Sequence, residues 1–368
     1  MSKEILLRVG SVDEEFINRR KELKEALSLV KMGQSCVFIA PRRYGKTSLM
    51  LKVAEELREE FFIAYVDVNV CTSVRDLGEH ILNAVYSAVG VKSFVHRAKN
   101  RIGELFKSIR ELRIKLGNIE FELGLELLQE REDIAFFREV IDLPEKFASR
   151  TGKRFLVIYD EFSEVYQLEK KIPDIIRSKV QMHKNCVYMF AGSQESMMRR
   201  FFTYHTGAFY RFARVFILDF LEEGDVREYI RKKIKSAGLK YYEEGENEVV
   251  KLTKGHPYYL KKLLQTIILV CKDFSKECVV ESVLRLLEEE KHYFETLLYH
   301  LKEKKYRGEI VRLLAMGESP YSALKGTLSS QHVNQILRDL EMEGVVRRRN
   351  RGAYELTDPL LALYLSAP

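Results

Sequence analysis

Residues 40–47 read Ala-Pro-Arg-Arg-Tyr-Gly-Lys-Thr and directly follow the apolar run Cys36-Val37-Phe38-Ile39. The spacing from Ala40 to Gly45-Lys46-Thr47 is that of a phosphate-binding loop. In such a loop a strand ends in a turn whose backbone N–H groups converge on phosphate oxygens at a helix N-terminus. Gly45 permits close backbone approach, Lys46 reaches the terminal phosphates, and the Thr47 hydroxyl is a ligand for Mg²⁺. Pro41, Arg42, Arg43, Tyr44 and Ser48 complete the loop as candidate nucleotide contacts. Ala40 occupies the position where the strict motif has glycine. That position belongs to the strand end, away from the closest approach to phosphate, so its methyl group is expected to leave the site intact.

Such a site needs a second buried strand ending in a carboxylate, and Arg154-Phe-Leu-Val-Ile-Tyr-Asp160-Glu161 supplies one. Asp160 is assigned to Mg²⁺ through its hydration shell, and Glu161 to the attacking water as its general base. A third apolar run, 186–192, ends in Gly192-Ser193. Ser193 at that tip is read either as a sensor of the terminal phosphate or as the N-cap of the helix that follows.

Five β-rich runs position these groups: 36–40, 61–68, 154–160, 186–192 and 214–218. Their apolar residues fall at consecutive positions, as in strands buried on both faces. Helix-period segments separate them at 46–60, 75–89, within 92–150, at 163–182 and at 194–203. Strands alternating with helices predict an α/β fold with a mainly parallel sheet. Residues 92–135 read as an insertion, with a hairpin around Gly117-Asn118.

Beyond Leu218 the strands are expected to stop. Residues 222–303 read as consecutive helices with breaks near Gly238, Gly245 and Gly255-His256-Pro257. Residues 304–368 read differently: an amphipathic helix at 305–316, an N-cap at Ser319 before Pro320, a third helix ended by Gly344, and two short strands around Asn350-Arg351-Gly352. Three helices followed by a hairpin is the order of a winged helix. The units are thus 1–221, 222–303 and 304–368. Arg347, Arg348, Arg349 and Arg351 crowd the proposed wing and are candidate contacts to the phosphate backbone of duplex DNA. Winged helices also serve as protein docking modules.

The chain has 368 residues, 46% hydrophobic and 31% charged, with a net charge of +7. That balance permits an acidic partner without demanding one. Five cysteines form no metal-like cluster in the sequence and are expected as reduced thiols in a cytoplasmic protein. No apolar run reaches the length of a membrane span, so no membrane partner is expected.

Together, "EEFINRRKEL" (14–23), "APRRYGKTSL" (40–49), "FLVIYDEF" (155–162), "FAGSQESMM" (190–198) and "KGHPYYL" (254–260) resemble the predominantly archaeal ATPase family. It stands among the AAA+ and STAND-type P-loop ATPases, near the origin-recognition initiators. The resemblance implies an AAA+-like sheet core with a helical lid and a C-terminal winged helix, and ATP/ADP with Mg²⁺ as cofactors. It places Phe16 and Ile17 at the adenine, with Pro257 and Tyr258 approaching from the lid. It also implies an arginine completing the terminal-phosphate site near 208–216, either Arg211 or Arg214, with Arg199-Arg200 as a further candidate. The function expected is Mg²⁺-dependent ATP hydrolysis driving a conformational cycle, coupled to DNA binding. The alternative is a slow nucleotide-held switch or DNA-binding regulator that docks a protein partner or another copy of itself.

Overall fold

The computed structural model describes residues 19–90, 132–350 and 352–366. Five strands form one sheet: β1 (Cys36–Ile39), β2 (Phe61–Asp67), β3 (Arg154–Asp160), β4 (Cys186–Gly192) and β5 (Arg214–Ile217), in the order β2-β3-β4-β1-β5. All pairings are parallel, and each strand matches its expected run to within a residue at either end. The central strands β1 and β4 are buried at every position, while the edge strands β2 and β5 are not. Alternation sends Val37 and Ile39 into one core and Cys36, Phe38 and Ala40 into another.

Helices cover both faces. α1 (Arg20–Lys31) and α2 (Lys46–Glu56) pack with the second of those cores. On the other face lie α3 (Val74–Ala88), α4 (Asp133–Ile141), α5 (Leu143–Thr151), α6 (Val165–Leu168), α7 (Ile172–Val180) and α8 (Glu195–Phe202). Phe162, Phe190 and Phe209 meet there with ring centroids 4.8–5.4 Å apart. Each such pair adds about 0.5–1.5 kcal/mol beyond burial alone, and the cluster stiffens the strand ends that carry Glu161 and Ser193. The expected insertion, hairpin included, lies outside the described residues except for its last four, which open α4.

After β5 come α9 (Glu223–Ala237), α10 (Glu243–Thr253), α11 (Pro257–Val270) and α12 (Lys276–Lys302). Two expectations need correction here. Strands do not stop at Leu218, because β6 (Lys240–Tyr241) and β7 (Asp273–Phe274) pair in parallel between the helices. Gly245 does not break a helix. It lies inside α10, where a Cβ would stand 2.2 Å from the Phe274 carbonyl oxygen, so glycine serves close packing on β7.

The chain closes with α13 (Arg307–Ala315), α14 (Pro320–Ala323), α15 (Ser330–Met342), the antiparallel hairpin β8 (Val346–Asn350) and β9 (Ala353–Leu356), and α16 (Pro359–Ser366). This is the expected order of three helices and a hairpin. Ser319 precedes Pro320 as expected, but its side chain caps nothing; Ser329 caps α15 through the His332 amide. One apolar core runs from Leu221 through Leu263, Phe294 and Leu337 to Leu361. The cysteine expectation is corrected in part. Cys36, Cys71 and Cys186 are buried free thiols, whereas Cys271 and Cys278 form a disulfide across the turn from α11 to α12. Among the described residues, no helix is long and apolar enough to cross a membrane.

Candidate functional site

In register, Ile39 pairs with Gly192 and Tyr159 with Phe190. Ala40, Asp160-Glu161 and Ser193 therefore leave the sheet side by side at its C-terminal edge, where the strand order reverses. Gly45 has φ +85° immediately before α2, a left-handed conformation that glycine adopts without penalty. The N-terminus of α2 thus faces the loop. Lys46 turns back into this loop, its Nζ donating to the carbonyls of Ala40 and Pro41 at 2.9 Å each. It is buried, and desolvation lowers its pKa against the opposing pull of Glu161 and Asp160.

The Thr47 hydroxyl donates to Asp160 Oδ2 at 2.6 Å, and the Tyr65 hydroxyl donates to the same oxygen at 2.9 Å. Asp160 Oδ1 accepts the Glu161 amide at 3.0 Å. These bonds orient the carboxylate with its two oxygens committed to different partners. Sequence reasoning passed over Tyr65; the available signal was a phenol within an otherwise apolar strand, two residues before Asp67. Glu161 is itself left-handed at φ +48°, a conformation that costs a residue with a Cβ roughly 1–2 kcal/mol. The turn directs its carboxylate across to β4, where Oε2 accepts both the Ser193 amide at 2.9 Å and the Ser193 hydroxyl at 2.6 Å. The capping alternative for Ser193 is thereby excluded: Gln194 is the N-cap of α8, and the serine hydroxyl is spent on Glu161.

A cavity of about 310 Å³ lies between this loop and the start of α11. Arg42, Arg43, Gly45, Lys46, Thr47 and Ser48 line one side, and Glu161, Pro257, Tyr258 and Lys261 the other. The Arg43 guanidinium stacks 4.3 Å from the centre of the Tyr258 ring. Lys261 is a lining residue the motif reading did not include. Phe16 and Ile17 lie outside the described residues.

Tyr44 behaves differently from its loop neighbours. Its side chain is fully buried, stacked on Phe220 at 5.4 Å and edge-on to His256 at 5.0 Å, and its hydroxyl donates to the Thr357 carbonyl at 3.0 Å. The Tyr44 carbonyl accepts from Arg19, which also bonds the Asp219 carbonyl. Burial, with Arg43 and Arg347 nearby, pushes the His256 pKa down to about 3, so its ring is neutral. A second cavity, about 690 Å³, opens between the loop at Arg42–Tyr44 and the C-terminal residues Asp339, Glu343 and Asp358.

The arginine candidates are scattered. Arg214 begins β5 opposite Cys36, at the end of the sheet away from the loop, and ion-pairs with Glu25 at 3.1 Å. Arg211, left-handed at φ +57° and exposed, precedes that end, so the fold does not bring it to its own phosphate loop. Arg199 reaches Glu195 at 3.5 Å, and Arg200 lies over Tyr166.

The proposed wing is also not a uniform basic surface. The Arg347 side chain is only 11% exposed. It pairs with Asp219 and Glu355 and covers Phe220 at 4.1 Å, an inward-facing clasp instead of a free phosphate contact. Arg349 pairs with Glu355 at 2.6 Å, Arg348 is exposed, and Arg351 lies outside the described residues.

Residues 16–263 match the family described as an ATPase domain predominantly from Archaea. No curated protein matches the sequence. Among solved structures, a Walker-type ATPase of Pyrococcus abyssi superposes with a TM-score of 0.71 at 17% identity, covering 99% of both chains. The ORC2 protein of Aeropyrum pernix, solved with ADPNP and ADP, gives 0.56 at 13% identity over 98% of this chain and 96% of its own. The ORC1 protein of the same organism, solved with DNA, gives 0.50 at 12% identity over 98% and 95%. At these identities the superpositions establish a shared fold.

Proposed function

The chain belongs to the family of ATPase domains found predominantly in Archaea, and from that premise we propose that it hydrolyses ATP in the cavity between the phosphate loop and α11, and uses the reaction to move its C-terminal half. The observation that carries this reading is the pair of contacts at the strand ends, Thr47 to Asp160 and Ser193 to Glu161. Lys46 exchanges the Ala40 and Pro41 carbonyls for phosphate oxygens. The donor set suits Mg²⁺: a hydroxyl and an oriented carboxylate are the hard oxygen ligands that ion takes, with water filling the rest of its shell. When bound, Mg²⁺ would neutralise charge on the phosphates. Glu161 takes a proton from the attacking water as general base, and Ser193 holds that carboxylate until the substrate competes for it. Pro257 and Tyr258 flank the base together with Phe16 and Ile17.

The three units, 1–221, 222–303 and 304–368, act as core, lid and winged helix. Because Tyr44 is part of the phosphate loop and yet bonds Thr357, a change in loop conformation is felt directly by the C-terminal hairpin. Arg211 completes the site of a neighbouring copy in a homo-oligomer instead of its own. Duplex DNA binds through Arg348, Arg349 and Arg351, in a cytoplasmic setting. The second reading, a slow switch that docks a protein, is favoured by the inward engagement of Arg347.

Steady-state turnover with Mg²⁺, with and without duplex DNA, tests this. The wild-type chain should hydrolyse ATP, and Glu161→Gln should retain binding while turnover falls about 10²–10⁴-fold. Wild-type turnover in Glu161→Gln would remove Glu161 from the chemistry. Acceleration by DNA supports the coupled motor, and slow turnover indifferent to DNA supports the switch.

A further inference from the structure

At the opposite end of β4 from Ser193 lies a second group of chemically capable side chains. Glu145 on α5, His183 in the turn after α7, and Cys186 at the first position of β4 bring one carboxylate oxygen, one imidazole nitrogen and one sulfur within 4.8 Å of one another. Cys186 is buried, the His183 side chain is only 4% exposed, and Glu145 is half-buried. Two short segments deliver the group, each with its polar residues three apart: Asp142 and Glu145 on one, His183 and Cys186 on the other.

The hydrogen bonds around the imidazole decide which nitrogen is available. Asp142 Oδ1, as a carboxylate, accepts from His183 Nε2 at 3.2 Å, so Nε2 carries the proton and Nδ1 holds a lone pair. That lone pair now accepts from the Tyr188 hydroxyl at 2.5 Å. Asp142 is fixed in turn by Lys179 at 2.6 Å. A carboxylate holding one histidine nitrogen so that the other presents its lone pair is the arrangement that orients metal-bound histidines. Glu145 accepts from the Asn185 amide at 2.9 Å, the Asn185 side chain at 2.8 Å and the Ser149 hydroxyl at 3.4 Å. The Cys186 thiol also donates to this carboxylate, so loss of the thiol proton frees the carboxylate position that faces the sulfur.

We propose that Glu145, His183 and Cys186 bind one divalent cation of the zinc class. A thiolate, a neutral imidazole and a carboxylate form a mixed N/S/O set suited to that ion, and their summed charge of −2 balances it. An inward movement of about 1 Å by each ligand closes the present spacing to a tetrahedral site, with water entering beside half-buried Glu145 as the fourth ligand. On binding, the Cys186 S–H bond breaks, sulfur keeps the electron pair for the metal, and one proton passes to solvent. The Tyr188 hydroxyl gives up its bond to Nδ1. The ion would pin the start of β4 to α5, remote from the phosphate loop.

The test is titration of chelator-treated full-length protein with Co²⁺, followed by displacement with Zn²⁺. The expected result is a near-ultraviolet thiolate-to-cobalt charge-transfer band that saturates at one equivalent, vanishes on adding Zn²⁺, and is absent in Cys186→Ser. Asp142→Asn, which keeps all three ligands, should weaken Zn²⁺ binding about 10–100-fold by freeing the imidazole. This second variant decides the matter if Cys186→Ser does not fold. Cobalt binding with no charge-transfer band, a band that survives Cys186→Ser, or an unchanged affinity in folded Asp142→Asn would each overturn the proposal. A change in ATP turnover is not the readout, because carboxylates at the phosphate loop also take divalent ions.

Discussion

Residues 26–218 bury two apolar cores, one on each face of the sheet, and residues 221–361 bury one, yet the two halves treat polar groups in opposite ways. In the sheet half the polar side chains that matter sit at strand ends, and their positions follow from backbone register: Asp160 closes β3, Glu161 and Ser193 are one step beyond a strand, and Thr47 lies in the first turn of α2. In the helical half they are held inside by side chains from other segments. Glu246 is fully buried between Arg227, Arg231 and Tyr241, and Tyr259 donates to Asp358 across 99 residues. The first arrangement leaves charge accessible for chemistry, while the second spends charge on fixing helices together. Tyr44 is one point where the two meet, a loop residue whose backbone belongs to the site and whose side chain packs with the other half.

This contrast can be broken or sharpened experimentally. The largest effect is expected from Lys46→Ala, which removes the only side-chain cation at the first turn of α2. Nucleotide binding measured by calorimetry should be lost, while near-ultraviolet circular dichroism from the helical half stays unchanged. Residual binding at wild-type affinity would mean that the loop is not the phosphate cradle. Next comes Tyr44→Ala, which empties a fully buried aromatic site and should cost about 3–5 kcal/mol. If Tyr44 couples the halves, the denaturation curve should also split into two transitions, whereas an unsplit curve with an unchanged midpoint would count against coupling through this residue. Tyr44→Phe keeps the stack on Phe220 and should lose only about 1 kcal/mol.

A pH effect follows from His256. Its folded pKa lies below that of an unfolded histidine, so the unfolded state binds more protons between about 6.5 and about 3. Stability should therefore fall as pH drops through that window, by up to about 1.4 kcal/mol per unit, and be unaffected above it. Chemical denaturation of His256→Phe between pH 4 and neutrality should show a shallower dependence than the wild type. An identical slope would place the titration elsewhere. The smallest effect is expected from Tyr65→Phe, which leaves Asp160 Oδ2 bonded to Thr47 alone and should reduce turnover by a few-fold with little change in stability.

The sheet was legible because strands buried on both faces must be apolar at consecutive positions, and a phosphate loop must follow one of them directly. Ala40 through Thr47 and Asp160-Glu161 could thus be read without a structure. The bend of Glu161 toward Ser193 was not legible, since no residue type announces a left-handed glutamate. Nor was Gly245, where the same residue that ends helices elsewhere admits the Phe274 carbonyl. Arg347 looked like the others in its basic run, and only the fold shows its neighbours to be Asp219 and Phe220, 128 and 127 positions away.

What the sequence alone determined, then, was local: the strands, the loop between β1 and α2, and the carboxylates at the end of β3, all set by periodicity and short-range backbone demands. Tertiary structure decided the partners. It chose Glu161 for the Ser193 hydroxyl, Thr357 for Tyr44 and Asp219 for Arg347, because such contacts depend on how separate segments pack, and packing distance is not encoded in spacing along the chain.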